Sequence, residues 1–403
     1  MTSPMPDASI GDRIRRFRGK SMTQQQLATA AGCSVDLIRK MEQNRFHSPS
    51  IGTLHKIAKA LDIDTSLLLA KGHPLPSAKP DEGVVAIRHA LTSVDDLLGD
   101  VTGEAVSPDE AQRIVDHAWG LYWGGRYNTL ATVLPTAISQ VRATVHAASP
   151  AERVHANELM TRLYWATGCT LVHMGQPDAA FLAIRMALTA SEKADDELLH
   201  ATVRGSVAWQ LLVQGRYDEA VRIATSTAER IEPRGDVAPE QLSAFGSLLI
   251  TGATAAGRAR KVGEANSLMQ SAGEVANRIG YNRNDYETAF GPSQVIMQTV
   301  DVHVVTENYT SALDAATLMP RENGLPLASA ARHLADRAYA HARLGNDQQA
   351  LDTLLVMERQ APDWVQYQTL PRLVVGELVE NHQRRVSSSK LFGLAKRLGV
   401  QTT

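Results

Sequence analysis

The sequence predicts an all-α protein in two parts, a short block of helices followed by a long array of helix pairs. Only 5% of its 403 residues are aromatic, and residues that favour helices, Ala, Leu, Arg and Glu, are abundant. A chain of this length is too long for one compact core and indicates two or three units. A Gly-containing phrase recurs through residues 109–360, which is typical of a repeat array.

Charge is unevenly distributed along the chain. Residues 1–71 hold 11 Lys and Arg against 6 Asp and Glu, whereas the remainder holds 30 against 37. A basic head on an acidic body is what phosphate binding by one end requires. Two distant cysteines, Cys33 and Cys169, exclude a disulfide framework and indicate a reducing cytoplasm. Neither a secretion signal nor an apolar run of about 18 residues is visible, so we expect no membrane association.

The first two helices have recognisable start and stop signals. Ile10, Ile14 and Phe17 recur at helical spacing and predict the inner face of the first helix, with arginines on its other faces. A capping box over Thr23–Gln26 starts the second helix. Gly32 ends it, because glycine readily takes the left-handed conformation that turns the chain sharply.

Three further short helices are expected before the chain reaches its linker. Ser34 caps a third helix that runs to Asn44, and Pro49–Ser50 starts a fourth. Asp64 or Thr65 caps a short fifth helix. The N-terminal 71 residues are therefore predicted to form a five-helix domain.

The run from Met22 to Leu69 resembles the helix-turn-helix (HTH) of the phage-repressor/Cro type, the XRE family. It shares the Gln-Leu-Ala of the second helix, the turn glycine, the Ile-x-x-Met-Glu of the third helix and the Pro-Ser before the fourth. The resemblance covers about residues 10–70 and implies that the third helix lies in the major groove of DNA. It also implies that Glu42 pairs with an Arg of the first helix, here Arg18.

The resemblance assigns DNA contacts by position. Arg39 and Lys40 can donate to guanine, Asp36 can accept from cytosine, and an apolar side chain can pack on the thymine methyl. A solvated surface helix would carry the same charges, and this is the alternative for each residue. The positions implied are Gln24 at a phosphate or base, Val35, Asp36, Arg39 and Lys40 at base edges, and Ser34 and Arg45 at the DNA backbone.

Residues 72–108 are predicted to connect the two parts. The segment Gly72–Pro80 is rich in Pro and poor in apolar residues, so it is typical of a semi-extended linker. Val84–Leu98 has the pattern of an amphipathic helix, followed by a break at Gly99–Pro108.

The repeated phrase predicts six helix pairs in residues 109–403. Gly ends one helix, and a small Ala lets the next helix pack closely. The phrase resembles the tetratricopeptide repeat over about residues 109–360, with residues 372–400 closing the array, and so implies an α-solenoid. Four copies begin at Gly125, Gly175, Gly215 and Gly345, and weaker copies lie at Arg260–Ala265 and Glu307–Ala312.

In that repeat family the first helix of each pair lines a concave groove. These positions hold four of the five Trp residues of the chain. An aromatic wall with a few polar groups is typical of a ligand pocket, whereas packing between repeats is the alternative for the same side chains. A structural role is the alternative for His173 in particular. The predicted ligand-binding residues are Trp119, Tyr122, Trp123, Arg162, Trp165, His173 and Trp209.

An HTH head joined to tetratricopeptide repeats resembles the peptide-pheromone sensor regulators of Gram-positive bacteria. We therefore expect a transcriptional regulator that binds double-stranded DNA as a homodimer on an inverted repeat, within the cytoplasm and the nucleoid. We expect a peptide or small-molecule effector and neither cofactor nor metal. The alternative is a DNA-binding adaptor whose repeats hold a protein partner. No nucleophile elbow, paired metal ligands or phosphate loop is present in the sequence, so an enzyme is not expected.

Overall fold

The computed structural model describes residues 9–19, 22–45, 49–61, 63, 68, 80–94, 98–100, 103–382 and 389–400. Over these residues the protein is all-helical and contains no strand. Asp64 and Thr65, the expected caps of a fifth helix, and the predicted linker before Pro80 lie outside them. In this part of the chain, no helix is long and apolar enough to cross a bilayer.

The structure describes four helices of the N-terminal domain: α1 (Ile10–Arg18), α2 (Gln24–Ala31), α3 (Val35–Glu42) and α4 (Ile51–Ala60). Between α2 and α3, Gly32 has a φ of 60° and closes α2 in the left-handed conformation, as predicted. Leucine, isoleucine, alanine and methionine side chains of all four helices form one small core. The helix-turn-helix geometry therefore follows from a sharp turn between two helices that share a core.

The predicted start signals of these helices are present. The Thr23 hydroxyl accepts from the Gln26 amide at 3.1 Å, and the Gln26 side chain accepts from the Thr23 amide at 2.8 Å. Ser34 caps α3 by accepting from the Leu37 amide, and Ser50 caps α4 in the same way. Each cap satisfies a backbone N–H that the helix itself leaves unpaired.

The inner face of α1 differs from the predicted one. Ile14 is fully buried, but Phe17 is 41% exposed and Arg13 is buried. α1 meets α3 at Gly11, where a Cβ would lie 1.8 Å from the carbonyl oxygen of Met41. The contact is therefore centred on Gly11, and Phe17 lies about 120° away from it around the helix.

Helix α5 (Pro80–Leu91) leads into the helical body, and it is shorter than the predicted helix to Leu98, because the chain turns at Thr92. Helix pairs then follow at all six predicted positions. They are α6 (Pro108–Trp123) with α7 (Tyr127–Ala147), α8 (Arg153–His173) with α9 (Pro177–Ser191), α10 (Glu197–Val213) with α11 (Tyr217–Arg230), α12 (Pro239–Arg258) with α13 (Val262–Ile279), α14 (Pro292–Val305) with α15 (Tyr309–Ala316), and α16 (Leu327–Arg343) with α17 (Asp347–Gln360).

The turn inside each pair has one residue in the left-handed region. Four of these residues are the glycines of the phrase, and the other two are Arg260 and Glu307, both with a φ of 66°. The two weaker copies of the phrase are therefore the same turn with a side chain where the others have none. A residue with a Cβ is strained in this conformation by about 1–2 kcal/mol.

The end of the chain returns to the first helix pair. After α18 (Pro362–Val365), α19 (Thr369–His382) and α20 (Ser389–Arg397) complete the fold. Trp364 packs on the turn at Gly125, with its Cβ in van der Waals range of that position. The Tyr367 ring lies 5.8 Å from the Tyr127 ring, so the first and last elements share one hydrophobic core. The row of helix pairs is closed by this contact.

Candidate nucleic-acid interface and interhelical cavity

Helix α3 presents an exposed polar face. Asp36, Arg39 and Lys40 are all exposed on it, whereas Val35 is half-buried. Lys40 Nζ lies 2.8 Å from Asp36 Oδ2, one helical turn away, and the hydrogen bond from Lys40 lowers the pKa of Asp36. Both signs of charge are therefore available for base edges, as readout in the major groove requires.

A hydrogen-bonded group behind α3 fixes its orientation. The Arg18 guanidinium binds the nearly buried Glu42 through two bonds of 2.6 and 3.0 Å, which is the pair that the family resemblance implies. Gln24 Nε2 donates to the same carboxylate at 2.7 Å. Burial alone would raise the pKa of Glu42, but the bonds from Arg18 and Gln24 outweigh it and hold this pKa below its ordinary value.

The remaining predicted DNA contacts lie around this group. Gln24 is half-buried and its amide is engaged with Glu42, so in this structure it supports α3. Ser34 is exposed at the N-terminus of α3, where its hydroxyl serves as the helix cap. Arg45 is exposed just after α3 ends. All seven predicted residues therefore lie on or beside α2 and α3.

Helix α4 lies against the turns of the third, fourth and fifth helix pairs. The Ser50 hydroxyl donates to Glu307 Oε1 at 2.5 Å. Gly52 lies against the same oxygen, so a side chain at this position would require the Glu307 carboxylate to shift. Lys59 Nζ lies 3.1 Å from Asp218 Oδ2. The N-terminal domain is thus held to the helical body by the helix that follows the HTH.

His55 lies near the centre of this contact. Its ring centroid is 5.8 Å from that of Tyr217, and its Nδ1 is buried with no hydrogen-bond partner among the described residues. Burial lowers the pKa of His55 to about 3, the positive charges of Arg258 and Arg332 act in the same direction, and the Asp301 carboxylate opposes them. The imidazole is therefore neutral at ordinary pH.

A buried group of ion pairs joins the helices beneath α4. Asp301 accepts from Arg258 at 3.0 Å and from Arg332 at 2.7 Å, and Arg332 also lies 3.0 Å from the fully buried Asp336. Burial would raise the pKa of Asp301, but the two guanidinium groups outweigh it and lower this pKa. Burial raises the pKa of Asp336 to about 6. These contacts fasten α12, α14 and α16 to one another.

A cavity of about 180 Å³ lies between the first helices of the first five pairs. One wall is aromatic and the other is polar and mostly uncharged. All four Trp residues predicted for the groove line this cavity. The aromatic wall consists of Trp119, Tyr122, Trp123, Trp165 and Trp209, and the polar wall includes Thr202, Ser206, Ser247, Thr251, Gln294 and Gln298.

Two of the predicted ligand-binding residues lie behind this wall. His173 stacks on Tyr127, with ring centroids 4.8 Å apart and planes 12° from parallel. Burial lowers the pKa of His173 to about 4, so its alternative assignment as a structural residue describes its surroundings better. Arg162 lies outside the lining and binds Glu287 Oε1 at 3.1 Å. Both residues support cavity walls.

The loop before α14 contributes Glu287 and Thr288 to the cavity and was not predicted from the sequence. Tyr286, Glu287 and Ala289 all have positive φ values, of 47°, 55° and 48°. Glu287 Oε2 accepts from the Trp123 indole N–H at 2.7 Å. Strained backbone of this kind often marks a ligand clamp or switch. Its sequence has no periodicity that would indicate a contact with α6.

The polar wall was also missed, although the sequence carries a signal for it. Its residues are three pairs spaced four apart on successive first helices, which places each pair on one helix face. The pairs are Thr202 with Ser206, Ser247 with Thr251, and Gln294 with Gln298. Polar pairs at that spacing on otherwise apolar helices indicate a lined cavity.

Two polar atoms in the cavity wall lack a partner. Gln294 is 7% exposed, and its Oε1 is buried with no hydrogen bond among the described residues. Trp119 is 3% exposed, and its Nε1 is likewise buried with no hydrogen bond among the described residues. Buried polar groups are normally paired, so these two atoms are exceptions in the described structure.

Comparison with known proteins identifies one region. Residues 15–69 match the family model of the Cro/C1-type HTH DNA-binding domain. A search of curated proteins gives no match to the chain. The matched region contains α2, α3 and α4 together with the Arg18–Glu42 pair. The protein therefore carries an HTH DNA-binding domain, and this supports its assignment as a DNA-binding transcriptional regulator.

Proposed function

We propose that the protein is a sequence-specific transcriptional regulator whose helical body binds a small molecule in the cavity and transmits its occupancy to the DNA-binding domain. In this proposal the body is an α-solenoid of tetratricopeptide-like pairs that senses and does not catalyse. A series of hydrogen bonds from the cavity to Asp301, followed by an electrostatic effect on α4, supports it.

That series of contacts runs along two helices. Gln298 lines the cavity, and its Oε1 accepts from the Thr254 hydroxyl at 3.4 Å. One turn later on the same helix, the Arg258 guanidinium donates to the Thr254 carbonyl and to Asp301. Asp301 and Arg258 in turn act electrostatically on His55 of α4. A change in Gln298 can therefore reach the DNA-binding domain through hydrogen bonds as far as Asp301 and through electrostatics from there to His55.

The helices that form the polar wall also carry α4. The middle of α10, α12 and α14 lines the cavity, and the turns that follow these helices contact α4. A ligand that binds two arrangements of these helices with different affinity shifts the population between them. Coupling between two such sites is typically about 1–3 kcal/mol.

We further propose that two copies of the chain bind an inverted repeat. A single domain of this kind buries too little surface for the affinity that specific regulators usually show. Two-fold symmetry in the protein matches two half-sites about one helical turn apart.

Selection of genomic DNA with the purified full chain, with and without extract from the producing cell, tests the proposal. We expect enrichment of a palindrome and a change in that enrichment when extract is present. Enrichment that ignores the extract would instead support the adaptor, in which the repeats hold a protein partner. No enrichment of any sequence would contradict the regulator itself.

Two substitutions on the DNA side sharpen this test. Lys40→Ala should reduce specific affinity by about 1–3 kcal/mol and relax preference at one base position. Arg45→Ala should weaken binding to all sequences and flatten the salt dependence, because it removes a phosphate contact. Gel-shift titration on the selected palindrome measures both effects, and equal behaviour of the two variants would remove Lys40 from base readout.

A third substitution tests transmission. Thr254→Val removes the hydroxyl between Gln298 and the Arg258 group without changing side-chain size. We expect DNA affinity without extract to stay as in the wild type and the response to extract to fall. Thr299→Val, on α14, is the matched control because its hydroxyl binds only its own helix at Val295. Equal responses in the two variants would contradict this route.

A further inference from the structure

The cavity wall carries a single type of charge. Glu287 is the only charged residue among those that line it, and its side chain is 9% exposed. Its cationic partner Arg162 lies outside the lining. The Arg162 guanidinium lies 3.1 Å from the Glu287 carboxylate and 3.2 Å from that of Asp116. Arg162 is thus shared between Glu287 and the exposed Asp116, and Glu287 is the charged group that faces the cavity.

Carboxylates also lie near the loop that carries Glu287. Tyr286 lies next to Glu287 in this loop. Burial raises the pKa of Tyr286, and the nearby carboxylates of Asp196, Glu158 and Glu240 raise it further. The one described cation in this loop, Arg283, is neutralised by its own pairs with Asp285 and Glu240. A negative potential at a cleft concentrates cations and repels anions.

The polar wall offers acceptors. The hydroxyl hydrogens of Thr202, Ser247 and Thr251 are donated to carbonyl oxygens of their own helices, at 3.1, 2.8 and 2.9 Å. Their oxygen lone pairs remain for a ligand. Gln294 Oε1 is a further acceptor, buried and unpaired in the described structure. A ligand bound to these oxygens must supply N–H or O–H donors.

The aromatic wall has the geometry of a cage. The Trp165 ring meets that of Trp119 at 5.0 Å and nearly at right angles, and Trp123 stacks on Trp119 at 6.1 Å. The indole N–H groups of Trp123 and Trp165 are bound to Glu287 and Ser206, which fixes their ring faces. Trp is the strongest aromatic partner for a cation near its face.

Size limits the ligand. An apolar cavity of about 150 Å³ holds benzene. At about 180 Å³ this cavity has room for one ring and a short chain, and an extended peptide would require the loop that carries Glu287 to move.

We propose that the effector is a small organic cation, with an ammonium or guanidinium group at Glu287 and the polar wall and an apolar body among the indoles. This inference rests on the proposed sensing function and names the chemical class of its ligand.

Three probes of one shape and different charge test the class. Phenethylamine is a cation at pH 7.5, 2-phenylethanol is neutral and phenylacetate is an anion. Titration calorimetry of the full chain, with Trp fluorescence as a second signal, measures their affinities. We expect phenethylamine to bind about tenfold more tightly than 2-phenylethanol, with phenylacetate the weakest. Any other ranking, or no binding of phenethylamine, would overturn the proposal.

Glu287→Gln should bring the affinities for phenethylamine and 2-phenylethanol close together. Glu322→Gln, at an exposed position, is the matched control and should leave the ranking unchanged. Because Glu287 also holds the loop before α14, Gln294→Met provides a second test that leaves every charge in place. This substitution should weaken the binding of phenethylamine severalfold and leave the fluorescence of the free protein unchanged. Wild-type affinity in both variants would remove these residues from the site.

Binding of the protein to the selected palindrome, measured in the same samples, separates the two proposals. If phenethylamine binds in the expected ranking and DNA affinity stays constant, sensing is contradicted and the cation site stands. If 2-phenylethanol or phenylacetate binds best and changes DNA affinity, the regulator stands and the ligand class is wrong.

Discussion

The six turns of the helix pairs fall into two groups. Those of the first, second, third and sixth pairs have Gly at the left-handed position, whereas those of the fourth and fifth have Arg260 and Glu307 there. The φ values are alike, so the backbone performs the same turn in each case. The two side chains lie where Gly52 of α4 packs, and Glu307 accepts a bond from Ser50. Both turns that depart from glycine therefore contact α4, as does the glycine turn of the third pair, where Asp218 binds Lys59.

The largest loss of stability should follow a substitution in the ion pairs beneath the turns that contact α4. Asp301→Asn leaves Arg258 and Arg332 without the carboxylate that joins them, in a region where Asp301 itself is 3% exposed. Loss of one partner in a buried ion pair should lower the free energy of unfolding by about 3 kcal/mol. Denaturant unfolding measures it. Asp352→Asn, exposed on α17, is the control, and equal stability of both variants would show that the ion pairs contribute nothing.

Glycine substitutions test the turns themselves. Gly175→Ala should destabilise by about 1–2 kcal/mol through backbone strain alone, because no atom lies within 4 Å of the added Cβ. Arg260→Gly should change stability by less than about 1 kcal/mol, since relief of strain offsets the greater freedom of the unfolded chain. Hydrogen exchange should nevertheless rise across α4 in Arg260→Gly and not in Gly175→Ala. The opposite exchange pattern would show that Arg260 does not hold α4 against the helical body.

Acidification should loosen the docked arrangement through His55. Its pKa is about 3 in the structure and 6.5 when free, so the unfolded or undocked state takes up a proton first as the pH falls. The contribution of neutral His55 to the free energy of unfolding is fully present above pH 6.5. It is lost between pH 6.5 and about 3, at about 1.4 kcal/mol per pH unit. Between pH 7.5 and 5.5 the wild type should lose about 1.4 kcal/mol more than His55→Phe, which keeps the ring beside Tyr217. Parallel pH profiles for the two proteins in denaturant unfolding would contradict this.

The smallest effect should come from the exposed edge of the docking contact. Lys59→Ala removes a pair to Asp218 in which both side chains are at least half exposed, and Asp218 keeps Lys261 at 3.1 Å. Such pairs contribute about 0–1 kcal/mol and are screened by salt. Exchange across α4 should rise slightly at low salt and match the wild type at high salt. A large, salt-independent change would show that Lys59 has another role.

Local chemistry explains which sequence predictions are confirmed. The caps at Thr23 and Ser34, the turn at Gly32 and the turns inside the six helix pairs each depend on residues three or four apart, so short-range patterns are sufficient. Phe17 was assigned wrongly because helical spacing gives a periodic stripe but not its angle relative to a neighbour. That angle is set by the approach of α1 to α3 at Gly11, a contact between distant residues.

The cavity shows the same contrast between short-range patterns and contacts of distant residues. Its four Trp residues could be predicted because each occupies a fixed position relative to a turn. The Glu287 loop, the closure of the body by Trp364 and Tyr367, and the docking of α4 bring together residues far apart in the chain. By itself the sequence determined the helices, their turns and the DNA-binding face. Only the tertiary structure decided that the polar wall, the buried ion pairs and His55 form one connected path, because burial and ion pairing depend on which helices meet.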